Sequence, residues 1–194
     1  KLFTNQIAQK INRSDKFTFM YLGSISPSAG IELLIDSFEL ANINNSKLII
    51  AGGGSEKNKC MNLAKNYTCE IEFIEVNLEK VPEIQAKADV LLLPLIKGIG
   101  KTASPSKLPA YMFSKKPIIA SVDIDSDTAE VINEAKSGWV IEPGNKEMLI
   151  NVMREAYSTK KSELELKGEN GFNFAMKNLS KKNNLKQLVK AILE

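Results

Sequence analysis

Histidine is absent from all 194 residues, and cysteine occurs only twice, as Cys60 and Cys69. Ser-His-Asp and Cys-His nucleophile arrangements are therefore excluded, and no ligand set for a zinc site remains. The two cysteines are expected to be reduced, structural thiols. Carboxylates, lysines and backbone groups are the catalytic tools left. No apolar run approaches the roughly 20 residues of a membrane span, and no basic region followed by an apolar core and a small-residue cleavage site opens the chain. The expectation is a soluble cytoplasmic protein, or a soluble piece of a larger one. An excess of one charge is lacking too. Twenty-six Lys and Arg against 23 Asp and Glu leave a formal charge of +3, spread along the chain rather than clustered as nucleic-acid binding requires. G-x-G-x-x-G and a Walker lysine are also missing, so neither common phosphate fingerprint applies.

What is present is a hydrophobic content of 43%, ample for one buried core. Residues 17 to 22, Phe-Thr-Phe-Met-Tyr-Leu, form an apolar run stopped by Gly23, which predicts a buried strand. Ile31, Leu34, Ile35 and Phe38 then recur at helical spacing, with Glu32, Asp36 and Glu39 on the opposite face. Further strands are predicted at 47–51, 71–74, 90–93, 117–120 and 139–141, and helices at 56–65, 81–86 and 128–135. Strands without polar alternation, joined by helices, imply a parallel sheet covered on both faces. The fold class is α/β: a doubly wound, Rossmann-like parallel sheet of about six strands with extra C-terminal helices. Beyond Pro143 come a helix at 146–157, a charged stretch to about Lys177, and a last amphipathic helix from Leu179 to Leu193 bearing Leu185, Leu188, Val189 and Ile192. The organisation reads as a linker or incoming helix over 1–15, a Rossmann-like α/β domain over 16–158, and a helical extension over 159–194.

Ligands of an open parallel sheet bind beyond the carboxyl ends of its strands. Three loops lie there. Gly23 to Gly30 is built of small residues before a helix, whose amides can approach a phosphate. Gly52-Gly53-Gly54-Ser55 either lets backbone run close to a ligand or turns the chain sharply. Pro94 to Lys107 is the most informative: Gly98 and Gly100 loosen the loop, Lys101 brings charge, Ser104 and Pro105 start a helix, and Ser106 and Lys107 lie in its first turn. Amides, a helix dipole and two lysines thus converge where a diphosphate can be held. Asp123, Asp125 and Asp127 are read as capping and solvating the next helix rather than holding a cation. Glu130 is read as a solvated first-turn residue and Trp139 as core.

These fragments, in order over residues 17 to about 157, resemble the C-terminal domain of family 4 (group 1) glycosyltransferases of the GT-B architecture. The resemblance rests on Phe19 to Gly23, Gly30 to Phe38, Leu48 to Gly54, Ala88 to Pro94, Pro105 to Leu108, Tyr111-Met112 and Lys116 to Ala120. It implies transfer of a sugar from a nucleoside diphosphate sugar, with UDP as the expected nucleotide, retention of anomeric configuration and no metal or other cofactor. Positive groups and helix amides would stabilise the leaving diphosphate. By the family's layout Gly23, Ser24, Gly98, Gly100, Lys101, Ser104, Ser106 and Lys107 serve the donor, with its base near Val76 and Val81. The implied partners are the donor, an N-terminal lobe not contained in this chain, and a glycan or lipid-linked acceptor in bacterial surface polysaccharide synthesis, reached from the inner face of the cell membrane.

Departures from the family pattern are as specific. The usual arginine and lysine of the first loop are replaced in the neighbourhoods of Ser24 and Ala29, and two glutamates eight positions apart are replaced by Thr102 and Ala110. No catalytic residue is assigned. A non-catalytic nucleotide-binding or assembly module and a GT-B nucleotide-sugar epimerase stay open as alternatives. With one lobe the chain alone is expected to transfer nothing. The lysines Lys177, Lys181, Lys182, Lys186 and Lys190 are read as a solvated helix face, with attraction to anionic lipid as the alternative.

Overall fold

The structure, a computed structural model, describes residues 16–99 and 107–179. Six strands alternate with helices: β1 (Phe17–Leu22), α1 (Ile31–Ala41), β2 (Ser46–Ala51), α2 (Lys57–Ala64), β3 (Ile71–Ile74), α3 (Val81–Ala86), β4 (Val90–Pro94), α4 (Lys107–Phe113), β5 (Ile118–Ser121), α5 (Asp127–Ala135) and β6 (Gly138–Ile141). Two helices, α6 (Lys146–Ser158) and α7 (Lys161–Asn178), complete the described residues. The sheet order is β3-β2-β1-β4-β5-β6, and every pairing is parallel. Within the described residues the predicted strands and helices appear, with ends shifted by up to three residues.

Both faces of the sheet are buried, as its unalternated strands require. Phe19, Tyr21, Leu48, Ile50, Val90 and Leu92 point to one side, where they meet α1 and α6. Met20, Ile49, Leu91, Leu93 and Ile118 point to the other, against α4 and α5. On the first side, Asp36 of α1 accepts hydrogen bonds from the Tyr67 hydroxyl at 2.7 Å and from Lys146 of α6 at 2.8 Å. Burial works against its charge, but these two donors hold its carboxyl below the usual range. Arg154 of α6 donates to the carbonyls of Leu40 and Ala41 at 3.1 and 3.0 Å, closing the C-terminal end of α1. Cys60 and Cys69 are free thiols, both pushed upward by burial, Cys69 to about 12. Neither is poised to react.

The charged stretch after α6 is the 18-residue helix α7, within the helical extension read from the sequence. Its apolar periodicity is interrupted by Gly168 and Gly171, and the structure supplies the reason. A Cβ built on Gly168 would lie 2.1 Å from the carbonyl oxygen of Lys115, at the end of α4. Glycine is the residue that allows this helix to lie directly on backbone. Phe113 and Phe172 meet edge to face beside the contact, and Lys115 pairs with Glu169 at 2.8 Å. Ala175 is fully buried in the second core. The Leu179–Leu193 segment lies beyond the described residues except for Leu179.

Gly168→Val is expected to lower stability by about 1–3 kcal/mol through overpacking against Lys115. Leu166→Ala, at a position 60% exposed on the same helix, is expected to change it by no more than about 0.5 kcal/mol. Urea unfolding of the two variants checks the contrast.

Candidate functional site

The direction in which the sheet grows reverses between β1 and β4, and an open α/β sheet binds ligands in the crevice at that switch point. The two strands pair only at Phe19 with Val90 and Met20 with Leu91. Beyond Met20 they part, which leaves backbone groups of Leu22 and Leu92 without a ladder partner across the gap. Tyr111 of α4 fills it. Its fully buried hydroxyl accepts the Leu22 N–H at 2.9 Å and lies 3.0 Å from the Leu22 carbonyl and 3.3 Å from that of Leu92, to which its single proton is shared. Burial raises this phenol far above its ordinary range, so it stays a donor at every physiological pH.

Lys107 precedes Tyr111 by four residues and so shares its helix face. Its stem crosses the end of β1 closely enough that a Cβ at Gly23 would sit 2.0 Å from Lys107 Cε and 2.9 Å from Cδ. The ammonium lies 5.7 Å from the centroid of the Tyr21 ring. The Tyr21 hydroxyl in turn donates to the Ser24 carbonyl at 2.5 Å. Burial lowers the Lys107 pKa, and among the described residues no carboxylate pairs with it. Gly23, Ser24 and Lys107 are thereby brought together, and the glycine is explained by passage of the lysine.

The glycines of the second loop have a reason that was not among the sequence readings. A Cβ on Gly52 would meet the Gly23 carbonyl oxygen at 2.0 Å, and one on Gly54 the Ile25 carbonyl oxygen at 2.2 Å. Ile25 N–H donates to the Gly53 carbonyl at 2.8 Å, and Glu56 N–H to that of Ile25 at 3.1 Å. Gly52 and Gly54 let two loops lie on one another. The first loop then closes with a 3-10 turn at Pro27–Ala29 and Gly30, whose left-handed backbone opens α1.

Val76 and Val81 flank a 3-10 turn, Leu78–Lys80, capped by Asn77 at the same carboxyl edge but beyond β2. Leu78 is 86% exposed there. Gly98 follows β4, and its N–H donates to the two carboxylate oxygens of Asp123 at 3.1 and 3.0 Å. Gly100, Lys101, Thr102, Ser104 and Ser106 lie outside the described residues. Ala110 is half-buried on α4.

The three-aspartate reading needs correction. Ser126, not an aspartate, caps α5 by accepting from Ala129 N–H at 3.3 Å. Asp123 is buried and holds the neighbouring loop, while Asp127 and the exposed Glu130 occupy the first turn of α5. Among the described residues no group of three or more Cys, Asp or Glu is gathered to hold a metal ion. Asp123 also lines a cleft of about 510 Å³ with Lys97, Ile124, Asp125, Glu142 and Pro143. Trp139 is half-buried on edge strand β6, donating to Glu155 at 2.7 Å under the Lys167 ammonium.

The model of the family described as glycosyl transferases, group 1, matches residues 3–170. The chain belongs to that family, whose chemistry is sugar transfer. No curated protein matches the sequence. Among solved structures, a TarM mutant of S. aureus in complex with fondaparinux, α-GlcNAc-glycerol and UDP superposes with a TM-score of 0.76 at 17% identity, over 94% of this chain and 36% of that one. HepE of Anabaena, in complex with UDP and glucose, gives 0.75 at 16% identity, over 93% of this chain and 49% of that one. The C-terminal domain of LpcC, a group 1 glycosyl transferase family protein of Francisella tularensis, gives 0.70 at 15% identity, over 87% and 89%. The chain thus spans less than two thirds of TarM and HepE, and its fold is that of the C-terminal, Rossmann-like domain of GT-B glycosyltransferases.

Gly23→Ala is expected to leave the urea midpoint nearly unchanged, because only the flexible end of Lys107 has to yield. Moved into water, the ammonium loses its desolvation, so its pKa rises toward that of an ordinary lysine. Titration of the Lys107 side chain by NMR reads this. Tyr111→Phe leaves the Leu22 amide without its partner and is expected to cost about 1–3 kcal/mol in the same unfolding experiment.

Proposed function

We propose that this chain is the donor-binding half of a glycosyltransferase that moves a sugar from a nucleoside diphosphate sugar, UDP-linked, to a glycan or lipid-linked acceptor in bacterial surface polysaccharide synthesis. One observation carries the reading: a partly desolvated ammonium, Lys107, without a carboxylate partner among the described residues, held over Gly23 at the switch point of the sheet. A cation in that position is unfavourable until an anion joins it, and a diphosphate supplies the charge. The amides opening α1 face the same crevice and favour negative charge.

In the transfer, the bond between anomeric carbon and diphosphate oxygen breaks, and negative charge grows on the departing diphosphate. Lys107 and Lys101 meet that growth, more strongly than they meet the intact donor, which is how a binding contact becomes a catalytic one. The base of the nucleotide lies along the Val76–Val81 edge, and the sugar is transferred with retention of configuration. Nothing in this scheme calls for a metal ion, since lysines and helix amides carry the charge. The acceptor and any general base belong to an N-terminal lobe facing this edge, and the enzyme works in the cytoplasm at the inner face of the membrane. Among the described residues no helix is long and apolar enough to cross a membrane. A second reading, a nucleotide-binding module without turnover, is favoured by Thr102 and Ala110 where the family has glutamates.

Calorimetric titration with UDP, GDP and ADP tests the reading. Saturable binding of one nucleotide is expected, weakened about tenfold or more in Lys107→Ala by loss of a charge-assisted contact. Lys107→Met is expected to abolish the same increment while leaving stability unchanged or raised, since it removes the desolvated charge and keeps the stem. The sign with pH is fixed. The folded Lys107 pKa lies below the unfolded one, so at pH values between them the unfolded chain holds more protons and stability rises with pH. Nucleotide affinity moves the opposite way, falling as Lys107 loses its proton, at lower pH than an ordinary lysine would. Failure of all three nucleotides to bind, with the chain folded, overturns the reading. Sugar transfer by the protein joined to its other lobe separates an enzyme from the module without turnover.

A further inference from the structure

The loop after β1 is held by hydrogen bonds that fall on alternate peptides. The Leu22–Gly23 peptide is tied at both ends: its carbonyl meets the Tyr111 hydroxyl at 3.0 Å, and its N–H donates to the Ala51 carbonyl at 2.9 Å. The Ser24–Ile25 peptide is tied at both ends as well, its carbonyl by the Tyr21 hydroxyl at 2.5 Å and its N–H by the Gly53 carbonyl at 2.8 Å. Between them lies the Gly23–Ser24 peptide. Its carbonyl lies against Gly52, on the β2 side of β1. A trans peptide points its N–H the opposite way, so the Ser24 N–H is turned to the β4 side, into the crevice at the switch point. Among the described residues nothing accepts from it.

The β4 side of β1 is also where α4 reaches. Tyr111 meets Leu22 there, and Lys107, one turn earlier on α4, crosses at Gly23. Four residues of helix advance about 6 Å and two residues of strand about 6.6 Å, so the step from Tyr111 to Lys107 matches the step from Leu22 to Ser24. The Ser24 N–H and the Lys107 ammonium thus face one space. Both are donors and neither can satisfy the other. An anionic oxygen accepts from both. Tyr21 governs whether the amide stays there. It is 1% exposed, in a place that phenylalanine would fill, and its hydroxyl reaches out to the loop, to the Ser24 carbonyl. Without that bond the Gly23–Ser24 peptide would begin at a glycine and be followed by an untied carbonyl, and the freedom of glycine would let it turn over.

We propose that Tyr21 is a positioning residue for the donor site: by holding the Ser24 carbonyl it keeps the Ser24 N–H turned to the crevice, where that amide and the Lys107 ammonium together receive a phosphate of the nucleoside diphosphate. The inference rests on the donor-binding reading given above. Tyr21 touches no substrate in this scheme and acts through the Ser24 peptide.

The test uses the 194-residue chain and its Tyr21→Phe and Val152→Ala variants, with UDP, GDP, ADP and inorganic pyrophosphate as probes, followed by NMR. In the unaltered chain the Ser24 amide proton is expected to move downfield saturably as a probe binds, the signature of an amide donating to an anion. The buried Tyr21 hydroxyl proton is expected to move over the same range of concentration. In Tyr21→Phe the ring remains but the tie is lost, so the Ser24 shift is expected to shrink and affinity to fall about tenfold, the effect of losing one charge-assisted bond. Val152→Ala, in the core under α6, is expected to lower the urea midpoint while leaving the Ser24 shift and the affinity as they were. Binding without movement of the Ser24 amide overturns the inference and leaves the donor reading standing. A full Ser24 shift and full affinity in Tyr21→Phe overturn the positioning role, as does an equal loss in Val152→Ala. If Tyr21→Phe does not fold, the hydroxyl proton of the unaltered chain decides: a Tyr21 signal indifferent to a ligand that moves Ser24 overturns the link between them. If no probe binds, the donor reading falls and this inference with it.

Discussion

The hydroxyl of Tyr111 between two diverging strands is the contact on which the rest of the site depends. A parallel sheet that grows in both directions from its first strand must open where β1 and β4 separate, and that opening exposes backbone groups that neither strand can satisfy. Closing it with a side chain from α4 does two things at once. It pays the hydrogen-bonding debt of Leu22, and it fixes the rotation of α4 about its axis. Lys107, one turn earlier, is then committed to the crevice. Structural and functional demands are thus met by two residues on one helix face, and neither can be moved without the other.

That commitment explains why a lysine is held in a place unfavourable to its charge. Lys107 crosses backbone at Gly23, lies near the Tyr21 ring, and is desolvated without a carboxylate among the described residues to compensate. Some lysines elsewhere on the surface are paired, as Lys59 is with Glu32 and Glu56, or Lys47 with Glu72. The cost is carried by the large two-sided core, which tolerates one unfavourable group.

The sheet was legible in the sequence because it is buried on both faces. Runs such as Val90 to Leu93 have no competing explanation, and each is punctuated by a helix of recognisable period. That Gly23, Ser24 and Lys107 lie near the carboxyl edge of the sheet was also legible, since each sits just beyond a strand or opens the helix that follows one. Other features were hidden because they depend on residues distant in the chain. Gly168 looks like a helix breaker until Lys115 is seen beneath it, and Gly52 and Gly54 look like a turn until Gly23 and Ile25 are seen against them. Asp123 was read as a solvated cap, for nothing near it in sequence announces the amide of Gly98. In each case the deciding partner is a backbone atom, and backbone atoms leave no signature in a sequence.

The glycine contact between the first two loops has a mechanical consequence. Because Ile25 N–H donates to the Gly53 carbonyl, and Gly52 and Gly54 lie against the Gly23 and Ile25 carbonyls at a separation that no Cβ tolerates, the loops after β1 and β2 cannot flex independently. They form a single stiff lip on one side of the crevice, while the opposite side is carried by the loop after β4. A molecule entering the crevice on that side therefore meets a wall already in place.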